Sequence, residues 1–288
     1  MTTRSSDRLH AVILTIMGLA VAVLVAATVF EAWDLYRTPL AERAAHPDFR
    51  RFRPAGDIGH GLGILGSAMI LLLLLYSVRK RSRRLQRAGS LKTWLRYHIF
   101  LGVAGPVLIT LHTSFKVEGL VALSYWSMVA VALSGVLGRY LYQQLPRNVL
   151  GEEMDPGAAE SRREELLVTL SERTGLDEAA LDRLEDLAVG SLEGRSAPVA
   201  LFLLPWLNAT TARALQGFRD AKGQALAPED RDLARRWVLL TRRVHLFHTI
   251  RDLFHWWHVL HKPFAVIMIL IMIVHVGVAV ALGYTWVW

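Results

Sequence analysis

The chain has 288 residues, 53% of them hydrophobic and 20% charged, with a net charge of +8. The apolar share calls for a membrane part, and the charged share excludes a chain buried wholly in lipid. Cysteine is absent, which excludes cysteine-ligated iron–sulfur clusters, thiolate-ligated haem, covalent c-type attachment and disulfides; the basic residues gather at the ends of apolar segments, which points to membrane topology and not to nucleic acid.

Five segments, 9–30, 58–78, 94–115, 120–142 and 264–287, are apolar over about the ~20 residues that cross a bilayer. The first is too long for a signal-peptide core and no cleavage site follows it, so it is expected to be a retained helix. His10 at its start and His46 in the next loop receive no role. That loop balances Arg37, Arg43, Arg50, Arg51 and Arg53 with Glu31, Asp34, Glu42, Asp48 and Asp57. The loop after the second segment holds Arg79, Lys80, Arg81, Arg83, Arg84, Arg87, Lys92 and Arg96 with no acid among them. The positive-inside rule places this second loop in the cytoplasm. The amino terminus is then cytoplasmic, the carboxyl terminus outside, and the expected location a bacterial-type inner membrane.

Residues 145–258 read as a helical cytoplasmic insertion between the fourth and fifth spans, dividing the chain into 1–144, 145–258 and 259–288. ESRREELLVTLSERTGLDEAALDRLEDLAVG reads as two short amphipathic helices with a break at Thr-Gly. APVALFLLPWL is apolar, too short to span, and contains Pro205; it is either a packed core segment or an interfacial one. From Pro228 the pattern reads as one long basic helix leading into the last span. No Gly-x-Gly-x-x-Gly or Walker loop points to a nucleotide domain.

Histidines within membrane segments are costly and mark functional sites. His98 and His112 lie in the third span and His261 and His275 at the fifth, each pair 14 positions apart (112−98 and 275−261). On a helix that offset falls about 40° short of four turns and rises about 21 Å. Each helix thus presents two imidazoles on nearly one face, one towards each side of the bilayer. The two spans run in the same direction, so His98 pairs with His261 and His112 with His275. Imidazole is a good axial ligand for haem iron, and two stacked bis-histidine sites suit two b-type haems. The alternatives are inter-helix hydrogen bonds or a proton relay.

Other residues admit two readings each. Gly59, Gly61, Gly63, Gly66, Gly102, Gly105 and Gly277 give room for a flat macrocycle or for ordinary close helix packing. Pro106 should kink the third span. Arg96, Arg139 and Lys262 are placed for the propionates of a cytoplasmic haem and Lys116 for those of an outer one, or all four snorkel to headgroups. His60 could hydrogen-bond a propionate, ligate a third haem, help bind a quinone, or serve packing. His258 competes with His261 as the cytoplasmic ligand. His245 and His248 form a weak zinc pair on a basic helix, and His255 lies one turn before His258. Trp256, Trp257, Trp286 and Trp288 suit interfacial aromatic belts.

On these four histidines, the chain resembles the di-haem membrane cytochromes b of the ferric reductase and NADPH oxidase type, over the second to fifth segments. WHVLHKP followed by HVGV also looks like the last span of bacterial respiratory b-type cytochromes. The resemblance implies an all-α bundle of five transmembrane helices holding two haem b groups by His98, His112, His261 and His275. It implies electron transfer across the membrane, between the quinone pool and a soluble flavoprotein, iron–sulfur protein or cytochrome c, within a complex of other subunits. No flavin and nicotinamide domain of the kind those oxidoreductases often carry follows the last span here, so a separate donor or acceptor is expected. Two rivals stand beside this reading: a ferric or oxygen reductase subunit fed by a flavoprotein, and a non-redox scaffold or sensor with proton-relay or zinc-binding histidines.

Overall fold

The computed structural model describes residues 2–146 and 154–284. Among them the chain is all-helical, with no strand. In chain order the helices are α1 (Thr2–Glu31), α2 (Trp33–Arg37), α3 (Phe49–Phe52), α4 (Asp57–Arg81), α5 (Leu91–His112), α6 (Gly119–Gln144), α7 (Pro156–Thr174), α8 (Glu178–Glu185), α9 (Ala197–Ala214), α10 (Pro228–His245) and α11 (Phe247–Ala281). Five stretches are long and apolar enough to cross a membrane: Asp7–Glu31, Phe49–Arg81 (α3 with α4), Leu91–His112, Val121–Gln144 and Phe247–Ala281. The chain is therefore a multi-pass membrane protein by length and composition. Trp286, Trp288 and the last part of the expected fifth span lie outside the described residues.

The chain divides into two compact units, Met1–Val136 with Leu260–Trp288, and Leu137–Val259. In the first, α4 and α5 pack along their lengths and α1 lies against α5. Lipid is as apolar as leucine, so close van der Waals fit holds such helices together. Gly66 and Gly105 supply it: a Cβ on Gly66 would lie 2.9 Å from the Ile109 side chain, and one on Gly105 3.2 Å from that of Ile70. α5 starts at a Ser90 cap, whose hydroxyl accepts from the Thr93 N–H at 3.2 Å. It continues unbroken through Pro106, and the Thr110 hydroxyl donates to the Pro106 carbonyl at 2.8 Å.

The expected third span reaches residue 115, but α5 stops at His112. Ser114 and Phe115 take φ of +46° and +62°, a left-handed conformation that costs non-glycine residues energy and must be held by tertiary contacts. The Ser114 hydroxyl donates to the Phe52 carbonyl. The buried Arg43 guanidinium donates to the carbonyls of Ser114, Tyr36 and Thr38 at 2.5, 2.7 and 2.8 Å. One arginine thus ties the loop after α1 to the end of α5. The small core of Ala32, Leu35 and Phe52 packs beside it. Burial raises the Tyr36 phenol above its ordinary value, against the pull of the Arg43 charge, so this ring stays neutral.

The second unit has two cores. One packs Leu166 and Leu170 of α7, Leu184 of α8, and Trp237 and Val238 of α10. The other packs Leu141 and Leu145 with Leu201, Leu204 and Leu207 of α9, and Leu246 and Ile250. α7 begins at an Asp155 cap with Pro156 in its first turn and ends at Gly175 with φ +61°, the left-handed stop glycine supplies most cheaply. This is the break expected at Thr-Gly. A π-helical turn, Asp186–Gly190, follows α8. Helix α9 runs unbroken through Pro205.

The single long helix expected from Pro228 is corrected: the chain turns at Leu246, between α10 and α11. The reason is burial. α10 sends Ala234, Trp237 and Val238 into the first core, whereas Leu246 and Ile250 enter the second, so the turn falls where the chain passes from one core to the other. α11 then runs for 35 residues, about 52 Å at the helical rise against ~30 Å of hydrocarbon. Several of its turns must lie outside the membrane core.

Candidate functional site

The two histidines of α5 are both fastened to α4. His112 Nδ1 lies 2.8 Å from the Gly59 carbonyl, and His98 Nδ1 lies 3.4 Å from the Leu73 carbonyl. Midway, Gly66 and Gly105 approach each other closely, with a Cβ on Gly66 only 3.2 Å from the Gly105 carbonyl. Gly59 with His112, Gly66 with Gly105 and Leu73 with His98 have residue numbers of equal sum, the signature of an antiparallel pair in constant register. Successive levels are seven residues apart on each helix (66−59 and 73−66; 112−105 and 105−98). Seven residues make nearly two turns, with a drift of about 20°. The 14-residue spacing is therefore two such steps, which return the second imidazole to the face of the first.

These contacts fix which ring nitrogen carries the proton. A carbonyl only accepts, so a neutral imidazole bonded to it through Nδ1 donates from Nδ1 and keeps its lone pair on Nε2. Metal-ligating histidines are oriented in this way. His112 is further seated by Gly63, where a Cβ would come within 2.5 Å of its Nδ1 and 2.7 Å of its Cε1. Gly63, Gly66 and Gly105 thus serve helix and ring packing, one of the two uses expected of them. A Cβ on Gly277 would meet nothing within 4 Å, and one on Gly102 only Leu73 at 3.8 Å.

On the other side, α6 meets α11 in antiparallel order. The Ser134 hydroxyl donates to the Val131 carbonyl at 2.9 Å and lies 2.7 Å from His261 Nδ1. With its proton committed to Val131, it accepts from His261, giving that ring the tautomer inferred for His98 and His112. The Ser124 hydroxyl donates to the Met268 carbonyl at 3.0 Å. His275 is exposed on α11 and within electrostatic reach of His112, as is His60. Between the two histidine levels lies an apolar layer: Ile70, Met128, Met268 and Met272 are buried together, with Ile109 and Tyr125 against them.

His258 is held differently. Its Nδ1 bonds the Phe254 carbonyl one turn back on its own helix at 2.9 Å, and its ring packs edge-on against Phe254 and Trp257. The Trp257 indole itself fills the space above Gly138, where a Cβ would overlap it. The cations considered for propionates stand at the surface. Arg96 is 3.8 Å from Asp7 and Lys116 is 3.7 Å from Glu118. Arg139 donates to the Gln143 amide oxygen at 3.2 and 3.3 Å, and Lys262 is exposed. His10, given no role, lies 3.1 Å from the Tyr97 hydroxyl. His245, His248 and His255 are exposed, and among the described residues no three His, Cys, Asp or Glu side chains gather as an ion site.

Sequence reasoning missed the residues that orient the imidazoles. Ser134 was open to it, as one of few polar side chains in an apolar span. Tyr76, whose ring centre is 5.0 Å from that of His98, and the carbonyls of Gly59 and Leu73 carry no such signal. Comparisons of the chain with protein-family models, curated proteins and solved structures gave no match.

Proposed function

We propose that the protein is a b-type cytochrome subunit that carries electrons across the membrane through two bis-histidine haems. His98 and His261 hold one, His112 and His275 the other. The observation that carries this reading is the shared orientation of His98, His112 and His261. Each has its Nδ1 engaged by a carbonyl or hydroxyl, the outer-shell arrangement that aims Nε2 at a metal and raises its basicity. A proton relay would instead be served by rings able to exchange protons at both nitrogens. The donor set also fits: two neutral imidazoles per iron suffice when the porphyrin supplies the other ligands, so no cluster of three protein ligands is required.

A haem held by these histidines would supply one-electron exchange. The residues of the chain do the rest. α4 fixes the two α5 ligands at a separation of about 21 Å along the helix, and Ser134 fixes His261. The layer of Ile70, Met128, Met268 and Met272 keeps water and ions from passing between the levels. His261 is preferred to His258 because its partner lies across the bundle, on α6, where a contact can register one helix against another. Arg96, Arg139, Lys262 and Lys116 sit near the span ends, where anionic propionates would emerge. Under the positive-inside rule the His98 level faces the cytoplasm. The terminal exchange is with quinone on one side and a soluble redox partner on the other.

The test is a count. Protein purified from its native membrane in mild detergent should give two haem b per chain by pyridine haemochrome assay, with a sharp Soret band. The His112→Ala chain should retain one. Preparations that keep their lipid but show no Soret absorption would sink the assignment.

A further inference from the structure

Helix α9 has an outer face that no contact within its unit explains. Its inner face is fully used: Ala200, Leu201, Leu204 and Leu207 are buried in the second core. The opposite face presents Val199, Phe202 and Trp206, of which Phe202 is 74% and Trp206 65% exposed. Pro205 and Ala209 are exposed beside them. No charged residue occurs between Arg195 and Arg213. The other helices of the unit behave oppositely. α7 exposes Arg162, Glu164, Glu165 and Glu172, and α10 exposes Glu229, Arg235 and Arg236. These are ordinary water-facing surfaces, and α9 is the exception.

The neighbours of α9 say what it faces. The Tyr140 hydroxyl donates to the Leu201 carbonyl at 2.5 Å. Leu141 and Leu145 pack on the same helix. Tyr140 and Leu141 belong to the end of α6, Leu145 follows it directly, and the membrane-crossing stretch runs to Gln144. α9 is therefore bound at the depth where that span leaves the hydrocarbon. A helix at this level with an apolar aromatic face meets lipid headgroups and upper acyl chains, and tryptophan prefers that zone. Arg195 and Arg213 at its two ends suit lipid phosphates.

We propose that α9 is an in-plane anchor, with Val199, Phe202 and Trp206 inserted into the membrane interface. The proposal does not depend on haem. Of the two readings the segment allowed, core or interface, α9 combines both, one on each face.

The absence of cysteine makes the test direct. Val199→Cys, Phe202→Cys and, as a control on α7, the exposed Val168→Cys are spin-labelled in the full chain and placed in lipid nanodiscs. Collisions with oxygen, which partitions into lipid, and with a water-soluble nickel chelate are compared. At 199 and 202 the oxygen-to-nickel ratio should exceed that at 168 several-fold. Nickel access at 202 equal to that at 168 would mean a water-facing helix, and exclusion of both reagents would mean a protein cover; either overturns the proposal. Trp206 gives a second readout that needs no label. Brominated acyl chains should quench the emission that the parent chain has and Trp206→Phe lacks. If that difference emission survives bromination, the anchor is not in lipid.

Discussion

An imidazole that ligates iron needs one nitrogen held and the other kept unprotonated, and the small residues around it decide whether it can. Gly63 is the sharpest case. A methyl there would lie 2.5 Å from His112 Nδ1, closer than any real contact, and neither α4 nor the ring can retreat without breaking the bond to the Gly59 carbonyl. Gly63→Ala should therefore lose the haem at the His112 level and keep the one at the His98 level, roughly halving the Soret absorbance per chain. Gly217→Ala, outside the histidine spans and where a Cβ meets nothing within 4 Å, should keep both. Ser134 acts more gently, through the 2.7 Å contact to His261 Nδ1. Loss of such an outer partner weakens metal binding by about 10–100-fold. Redox titration of Ser134→Ala should show one midpoint potential displaced and the other unchanged, with Ser134→Thr restoring the first. Displacement of both, or of neither, would count against His261 as a ligand.

At the scale of the element, the turn between α8 and α9 rests on one buried cation. Arg242, 1% exposed, donates to the carbonyls of Leu187 and Ala188, to Asn208 Oδ1 and to Thr211 Oγ1 at 2.8–3.0 Å. The first two belong to the π-helical turn, whose register leaves carbonyls without regular partners. Arginine suits this task because its planar fork reaches several acceptors at once. Burial lowers its pKa from the ordinary 12.5 to about 10, so it is charged at neutral pH. The sign follows from linkage. The charged form is disfavoured by folding, so this group opposes stability below pH 10, and the opposition fades as pH rises through 10 towards 12.5. Its hydrogen bonds must outweigh that cost. Arg242→Met relieves the buried charge but orphans the acceptors, each worth about 1–3 kcal/mol. Hydrogen exchange in the full chain should show amides of 186–190 and 242–246 losing protection by roughly 2–4 kcal/mol. Unchanged protection would mean that water replaces the guanidinium.

Sequence made the elements legible where one local signal sufficed. Runs of uncharged apolar residues marked the five spans, and Gly175 after Thr174 marked the end of α7. It failed where the cause was tertiary. Nothing local in LTRRVHLFHTIRD announces the turn at Leu246, which falls where the chain passes from one core to the other. Nothing near Ser114 announces a left-handed residue, since Arg43 and Phe52 hold it from elsewhere in the chain. The four paired histidines stood out by spacing alone. Their fastening to α4 depends on helix pairing, which the spacing does not state. With hindsight Gly66, seven residues from Gly59, and Gly105, seven from each α5 histidine, marked the close approach of the two helices.

For the molecule as a whole, the span between α5 and α11 governs how the histidines can pair. In the proposed topology five crossings would place the two termini on opposite sides of the membrane, and the single crossing of α6 between α5 and α11 would make those two parallel. Only then do His98 with His261, and His112 with His275, share a level. The direction of the whole arrangement rests on charge. The stretch from Arg79 to Arg96 is basic without an acid, whereas the loop after α1 is mixed, and positive loops near span ends stay on the cytoplasmic side. Arg43 strengthens the contrast, because it is buried against three carbonyls and adds little to the field outside its own loop. Single cysteines can again report, at the exposed Ala41 in the loop after α1 and the exposed Ala88 after α4. In intact cells, or spheroplasts where an outer membrane intervenes, a membrane-impermeant maleimide should label Ala41→Cys at once. Ala88→Cys should react only after the membrane is opened. The reverse pattern would invert the proposed direction yet preserve the pairing. Labelling of both sites from one side would mean that α4 does not cross the membrane between them, which would overturn the five-span topology and with it the direction read from loop charge.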